Sequence, residues 1–376
     1  MEKLNFDYYD LKTPCYVIDE ELLIKNLEIL KKVKDETGCK ILLAQKAFSM
    51  YSVYPLIGQY LDGVTSSSLF EARLGYEEMN KEVHIYAPAY RDDEIDEILK
   101  YSDHIVFNSF NQYRKFKDKL NNKTQCGIRI NPEYSEIETD IYNPCFENSR
   151  LGVTLEHFIE EEIENIDGLH FHTMCEQNSD TLERTIKVVE EKFSKYFNKI
   201  KWINFGGGHH ITRDDYDIDK LIKCINYMKD KYNIQVYLEP GEAVALNAGF
   251  LVSTVLDTIK NNMDLAILDT SAACHMPDVI EMPYRPNIIN SREPYKLQYT
   301  YRLGGPTCLA GDIIGDYSFS KPLKCGDKLV FCDMAIYSMV KNNTFNGINL
   351  PDIVLVSNGT KKVIKQFDYN DFKSRL

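Results

Sequence analysis

Between Lys40 and Leu238, short runs of apolar and β-branched residues alternate with segments whose apolar positions recur at helical spacing. The runs are 40–44, 63–66, 83–87, 104–108, 126–130, 168–172, 202–205 and 235–238, eight in all. Ahead of the first, Leu23, Leu27 and Leu30 fall at i, i+4 and i+7, which predicts a helix with Asp19 as its N-cap. Eight strand–helix units in about 220 residues are the size of a (β/α)8 TIM barrel, here 19–242. A doubly wound sheet is the alternative. The regular units and the lack of a dinucleotide fingerprint favour the barrel.

Beyond Glu242 the pattern changes. Strand-like runs dominate at 250–255, 265–268, 297–303, 329–332, 353–356 and 363–366, separated by turn signals such as Asn261-Asn262 and Gly326-Asp327. This predicts a second, β-rich domain, a sandwich or barrel, formed by 1–18 and 243–376. Cys15-Tyr16-Val17-Ile18 has no barrel partner and is expected to pair into it. One stretch breaks the rhythm. Residues 132–150 form a long polar excursion after the fifth strand, at the end where such barrels carry their sites, so a functional loop is expected.

Composition narrows the classes. A chain of 376 residues that is 44% hydrophobic can bury a large core. It contains no apolar run of the ~18 residues a membrane span needs, and its start, Met1-Glu2-Lys3-Leu4-Asn5, is unlike a signal peptide. The net charge of −13 disfavours nucleic acid and anionic membranes as partners. The ten cysteines form no C-x-x-C pair, which argues against a zinc site or disulfides and for a reducing cytosol. No metal site is expected.

Candidate chemistry lies at strand ends. Lys46 follows the first buried run, Gly206-Gly207-Gly208 the seventh, and Glu239-Pro240-Gly241 the eighth. An amine, a glycine-rich anion cradle and a carboxylate on strand ends suit pyridoxal phosphate: imine, phosphate site and partner for the ring nitrogen. His172 ends the sixth run and could stack on the ring. Each residue alone has a plainer reading: surface lysine, tight turn, structural salt bridge, satisfied core histidine. Cys308 in Gly305-Pro306-Thr307-Cys308, Tyr337, and Phe345-Asn346-Gly347 would alone pass as packing and a turn.

Together, in this order and spacing, these motifs resemble the fold type III, alanine-racemase-like pyridoxal-phosphate decarboxylases, from Thr13-Pro14 to Phe345-Asn346-Gly347. The resemblance implies that Lys46 holds the cofactor covalently and His172 stacks on it. It further implies that Gly206, Gly207, Gly208, Gly241 and Tyr337 serve the phosphate and Glu239 the ring nitrogen. Cys308 matches the cysteine that reaches the neighbouring subunit's site, so a homodimer with shared sites is implied, as is catalysis by Lys46 and Cys308. Where ornithine- and diaminopimelate-type members usually read Glu-Pro-Gly-Arg, this chain has Glu242. That departure, with His275-Met276-Pro277-Asp278 and Gly305-Pro306-Thr307-Cys308-Leu309-Ala310-Gly311-Asp312, is similar to the carboxynorspermidine/carboxyspermidine decarboxylase branch of polyamine biosynthesis. A polyamine substrate carries ammonium groups, and Glu242, Asp278 and Asp312 are the acids expected to meet them. The alternatives are a diaminopimelate or basic amino-acid decarboxylase and a cofactor-binding homologue without activity.

Overall fold

The computed structural model describes residues 4–376. The chain divides into two units, Asn26–Val244 and a second formed by residues up to Lys25 with Ala245–Leu376. In the first unit eight parallel strands close into a barrel. They are β2 (Lys40–Ala44), β3 (Gly63–Ser66), β4 (Glu82–Tyr86), β5 (His104–Phe107), β6 (Gln125–Arg129), β7 (Gly168–His170), β8 (Trp202–Asn204) and β9 (Gln235–Leu238), numbered after β1 (Cys15–Asp19). Closure comes from β2 pairing with β9, Lys40 opposite Tyr237. The predicted cap is present: Asp19 Oδ1 accepts from the Glu21 and Leu22 N–H groups at 3.0 and 3.2 Å, at the start of the helix Glu20–Thr37.

Parallel barrel strands are buried on both faces, which is why they read as short apolar runs. The interior is filled by side chains from several strands, and the largest is the chain's single tryptophan. Trp202 is 2% exposed, and its Nε1–H donates to Gln125 Oε1 at 2.9 Å. Two glycines in register, Gly127 on β6 and Gly168 on β7, open the slot its indole fills. A Cβ at Gly168 would lie 2.0 Å from Trp202 Cδ2, and one at Gly127 2.4 Å from Cη2. Gly168→Ala must therefore displace a buried indole. The expected loss is about 1–3 kcal/mol, to be read as a lower urea midpoint at unchanged slope; an unchanged midpoint would show that the slot is wider than it looks.

Below the indole, at the strands' N-terminal end, Glu82 closes the barrel. Its Oε1 faces His84 Nε2 at 2.8 Å, His104 Nε2 at 3.3 Å and Tyr237 Oη at 2.8 Å, while Lys40 Nζ donates to Oε2 at 2.6 Å. The two imidazoles stack at 3.9 Å, and burial pushes the pKa of His104 down to about 2. These groups occupy both carboxylate oxygens, as a polar plug does. Polar groups that satisfy one another at this end of a barrel serve stability, and chemistry belongs at the other end.

The second unit is one mixed sheet built on the long strand β10 (Gly249–Asn261). Its first half pairs antiparallel with β1 and with β14 (Lys328–Cys332). After a bulge between Val255 and Asp257, its second half pairs with β11 (Met263–Leu268). Outward from β11 come β12 (Tyr299–Gly304) and β13 (Ile313–Phe319), and on the other flank β15 (Asp352–Ser357) and β16 (Thr360–Lys365). Strand β1 lies inside this sheet, parallel to β15 on one side. Strand β13 escaped the sequence reading because Gly315, Asp316 and Ser318 interrupt its apolar run.

Candidate active site

The C-terminal ends of β2, β7, β8 and β9 bring together Lys46, His172, Gly206-Gly207-Gly208, Glu239, Gly241 and Glu242. They are joined by four groups that the sequence reading passed over: Arg129, His170, Asn204 and Tyr86. Arg129, His170, Asn204 and Tyr237 form a register row across β6 to β9. His170 sits two residues before His172 and Asn204 two before Gly206, so strand alternation was the signal that could have found them.

Glu239 is the centre of the constellation. It is 9% exposed, and its N–H donates to Gly206 O at 2.8 Å. His170 Nε2 lies 3.1 Å from one carboxylate oxygen, and Asn204 Nδ2 donates to the other at 2.7 Å. Burial pushes the His170 pKa down and the facing Glu239 carboxylate opposes it; the ring's Nε2–H is the donor, and Nδ1 has no partner among the described residues. Burial alone would raise the pKa of Glu239, but His170 and Asn204 outweigh it and hold the carboxyl well below its usual range. The result is an ionised, buried carboxylate with lone pairs left for a cationic N–H.

His172 lies just past the end of β7, where the predicted strand stops short. Its Nδ1 accepts from the Gly207 N–H at 3.0 Å, and its carbonyl accepts from Arg129 Nη2 at 3.1 Å. Burial, with Lys46 and Arg129 nearby, drives its pKa well below the ordinary value, which agrees with a neutral ring accepting at Nδ1. The Arg129 guanidinium stacks 4.6 Å above the Tyr86 ring.

The glycines divide their tasks. Gly206 (φ 70°) and Gly208 (φ 82°) adopt the left-handed region that side-chain-bearing residues avoid. A Cβ at Gly206 would lie 2.5 Å from Phe171 O, and one at Gly208 1.9 Å from Met174 O. The Gly206 N–H is already given to Asn204 Oδ1 at 2.8 Å and that of Gly207 to His172. Among the described residues no acceptor meets the Gly208 N–H, so the cradle presents its amide at Gly208 rather than at all three. Gly241 packs where a Cβ would come 2.6 Å from Ala47 Cβ, beside the lysine turn.

Lys46 follows β2 in that turn. It retains accessible surface, yet protein atoms crowd round its amine. Desolvation, with the positive field of Arg129 added, lowers its pKa, and Glu239 and Glu242 only partly oppose this. A depressed amine pKa is what imine chemistry requires. Pyridoxal phosphate thus fits on this chain's own features: a glycine cradle a Cβ would fill, an amine biased toward neutrality and an ionised buried carboxylate.

The loop 132–150 is held at this end. Ser135 Oγ donates to Thr173 O at 2.8 Å, next to His172. Glu136 accepts from Arg184 Nε and Nη2 at 2.6 and 2.7 Å, and that pairing holds its pKa down at about 2. Asn108 ties the loop's far end, donating to Arg150 O at 2.8 Å and accepting from Gly152 N at 2.7 Å.

In the second unit, Cys308 is exposed on the turn after β12, and its N–H donates to Asn346 Oδ1 at 2.8 Å. Tyr337 has φ 55° and ψ −37°, a strained conformation for an aromatic residue and one that clusters at functional sites. Two expected substrate acids are engaged otherwise. Asp278 pairs with Lys341, which also reaches Glu281 Oε2 at 2.5 Å. Asp312 is 3% exposed, with both carboxylate oxygens hydrogen-bonded within the unit, so it has no face left for a ligand ammonium.

Residues 15–335 match the family model described as pyridoxal-dependent decarboxylase, C-terminal sheet domain. The chain belongs to the pyridoxal-dependent decarboxylases. It is 46% identical, over 98% of its length and 99% of the relative's, to a carboxynorspermidine/carboxyspermidine decarboxylase of Campylobacter jejuni. A carboxyaminopropylagmatine decarboxylase of Synechocystis is 42% identical over 97% of this chain and 96% of its own. Among solved structures, the carboxynorspermidine decarboxylase of Campylobacter jejuni complexed with norspermidine superposes with a TM-score of 0.92 at 44% identity, covering 97% of this chain and all of that one. A diaminopimelate decarboxylase at 16% identity and a TM-score of 0.81 shares the fold. The chain is a decarboxylase whose cofactor is pyridoxal phosphate. No helix among the described residues is long and apolar enough to cross a membrane.

Proposed function

We propose that this decarboxylase acts on carboxynorspermidine and carboxyspermidine, forming norspermidine and spermidine in the cytoplasm as a homodimer with shared active sites. The observation that carries this reading is full-length identity of 46% to a relative of that name, with Glu242 where other branches place an arginine.

The cofactor, when bound, supplies the electron sink for the bond to the leaving carboxylate. Lys46 would hold it through its amine, Glu239 would hold its ring nitrogen, and His172 would flank the ring. The Gly208 amide would meet its phosphate beside Gly241. Desolvation, with the Arg129 charge beside it, pushes the Lys46 amine's pKa down. After CO2 leaves, Cα needs one proton, which Cys308 Sγ or Lys46 Nζ returns. For the ammonium tail we assign Glu242, half-buried at the head of the short helix Glu242–Ala245 and near enough to Lys46 to act on its pKa. Removing a positive arginine there and adding a negative charge turns repulsion of a cationic tail into attraction. Asp278 would reach the tail only by exchanging the Lys341 ammonium for the substrate's.

The test is CO2 release by the pyridoxal-phosphate-loaded protein with carboxynorspermidine, carboxyspermidine, carboxyaminopropylagmatine, meso-diaminopimelate and L-ornithine side by side. Turnover of the first two at least tenfold above the rest is expected. Both are expected to react, because one methylene discriminates by only about 1–3 kcal/mol. Preference for the agmatine derivative would move the tail chemistry from ammonium to guanidinium. Turnover of the amino acids alone would overturn the role of Glu242, and no turnover would favour a cofactor-binding homologue.

A further inference from the structure

Three stretches that the sequence left as separate motifs meet in the second unit: Ser271–His275, Gly305–Asp312 and Asn343–Gly347. The residue at their centre is Asp312. Ser271 Oγ lies 2.9 Å from both of its carboxylate oxygens. The Ala273 N–H donates to Oδ1 at 3.3 Å. Thr307 donates to Oδ2 through its hydroxyl at 2.7 Å and its N–H at 3.3 Å. The Gly305 N–H donates to the Asp312 carbonyl at 2.9 Å, and a Cβ at Gly305 would sit 2.2 Å from Asp312 Oδ2.

The carboxylate therefore spans the Cys308 turn from Gly305 to Asp312 and ties it to the Ser271 turn. That anchor is itself fixed, because Ser271 Oγ accepts from Cys274 N at 3.1 Å, and Asn343 bonds the carbonyls of Cys274 and Ala273 at 2.9 and 2.8 Å. Asn346, in the left-handed conformation at φ 57°, closes the other side on the Cys308 N–H. A thiol that returns a proton to a carbon needs its sulfur placed to within a fraction of an ångström, whereas a short surface turn left alone moves by more.

The geometry points to Asp312 as a positioning residue for Cys308: a buried latch that fixes the thiol's turn and makes no contact with substrate. This inference rests on the proposed role of Cys308 in returning the proton.

The experiment compares Asp312→Ala, Asp312→Asn, Cys308→Ala and the double variant Asp312→Ala/Cys308→Ala as loaded enzymes. For Asp312→Ala, kcat is expected to fall on the order of 10–100-fold, with KM and cofactor affinity (by absorbance titration) within about twofold of the parent. The double variant should be no slower than Cys308→Ala alone, because a residue acting only through the thiol loses its effect once the thiol is gone. Iodoacetamide labelling of Cys308, read by peptide mass, should rise at least threefold in Asp312→Ala. Asp312→Asn, which keeps one acceptor oxygen, should lie between and serves if the alanine variant does not fold.

A full further loss in the double variant, or parental kcat with parental labelling in Asp312→Ala and Asp312→Asn, would overturn the latch. Parental activity of Cys308→Ala would overturn it too, by removing its object, while leaving the decarboxylase reading intact. If no polyamine substrate turns over, that reading fails separately. The labelling rate then decides the latch alone.

Discussion

Lys46→Ala is expected to lose the cofactor's visible absorbance and to lower CO2 release by roughly three orders of magnitude, about 4 kcal/mol of barrier. The chain's other lysines do not substitute, because the position supplies what the residue type does not. Lys46 stands at the end of β2, crowded by protein, with the Arg129 charge close enough to push its pKa down and Glu239 within the same field. Absorbance and turnover should fall together. A Lys46→Ala protein that kept its absorbance but not its activity would place the cofactor on another amine, and one that kept both would remove Lys46 from the site.

Glu239→Gln is expected to lower kcat about a hundredfold, roughly 2.7 kcal/mol, while the protein still binds cofactor. Two effects combine. The amide carries no charge to hold a protonated ring nitrogen. Its NH2 must also face either His170 Nε2–H or Asn204 Nδ2, donor against donor, where the carboxylate accepted from both at 3.1 and 2.7 Å. The pH dependence follows from the direction of the shift. The folded carboxyl titrates below the ordinary glutamate value of about 4.3. Its ionised form therefore stabilises the fold above that value, and the contribution is lost as pH falls through the folded pKa. Above about pH 5 no acid limb in kcat should come from Glu239. Steady-state kinetics of parent and variant from pH 5 to 9 check both statements: a variant within threefold of the parent would reduce Glu239 to a structural ion.

Of the fold, the barrel was legible and the second sheet partly so. The eight runs became the eight barrel strands within a residue or two because strands buried on both faces must be apolar throughout. Strand β13 was not legible, since its glycine, aspartate and serine break the apolar run, and Ser318 is buried all the same because its hydroxyl is hydrogen-bonded within the second unit. The site was legible where chemistry demands a rare group at a strand end: Lys46, Glu239 and the glycine triplet. It was not legible where an ordinary residue acquires its role from a neighbour. Strand alternation puts Asn204 on the face of Gly206, but its pairing with Glu239, like the Arg129 charge beside Lys46, follows only from the row β6–β9, whose register depends on closure of the barrel.

The same division explains the acids. Glu242, Asp278 and Asp312 are equivalent as letters near family motifs, and charge alone made each a partner for an ammonium group. Burial sets Asp312 apart and pairing Asp278, because a carboxylate already holding four donors inside a turn has no face for a ligand, and one beside Lys341 already has its cation. Local pattern and residue chemistry in the sequence were sufficient to determine the barrel and the family's cofactor, and to single out the amine and carboxylate proposed to serve it. Which amides stay open and which acids are already engaged within the fold were decided only by tertiary structure, because each depends on distances between residues far apart in the chain.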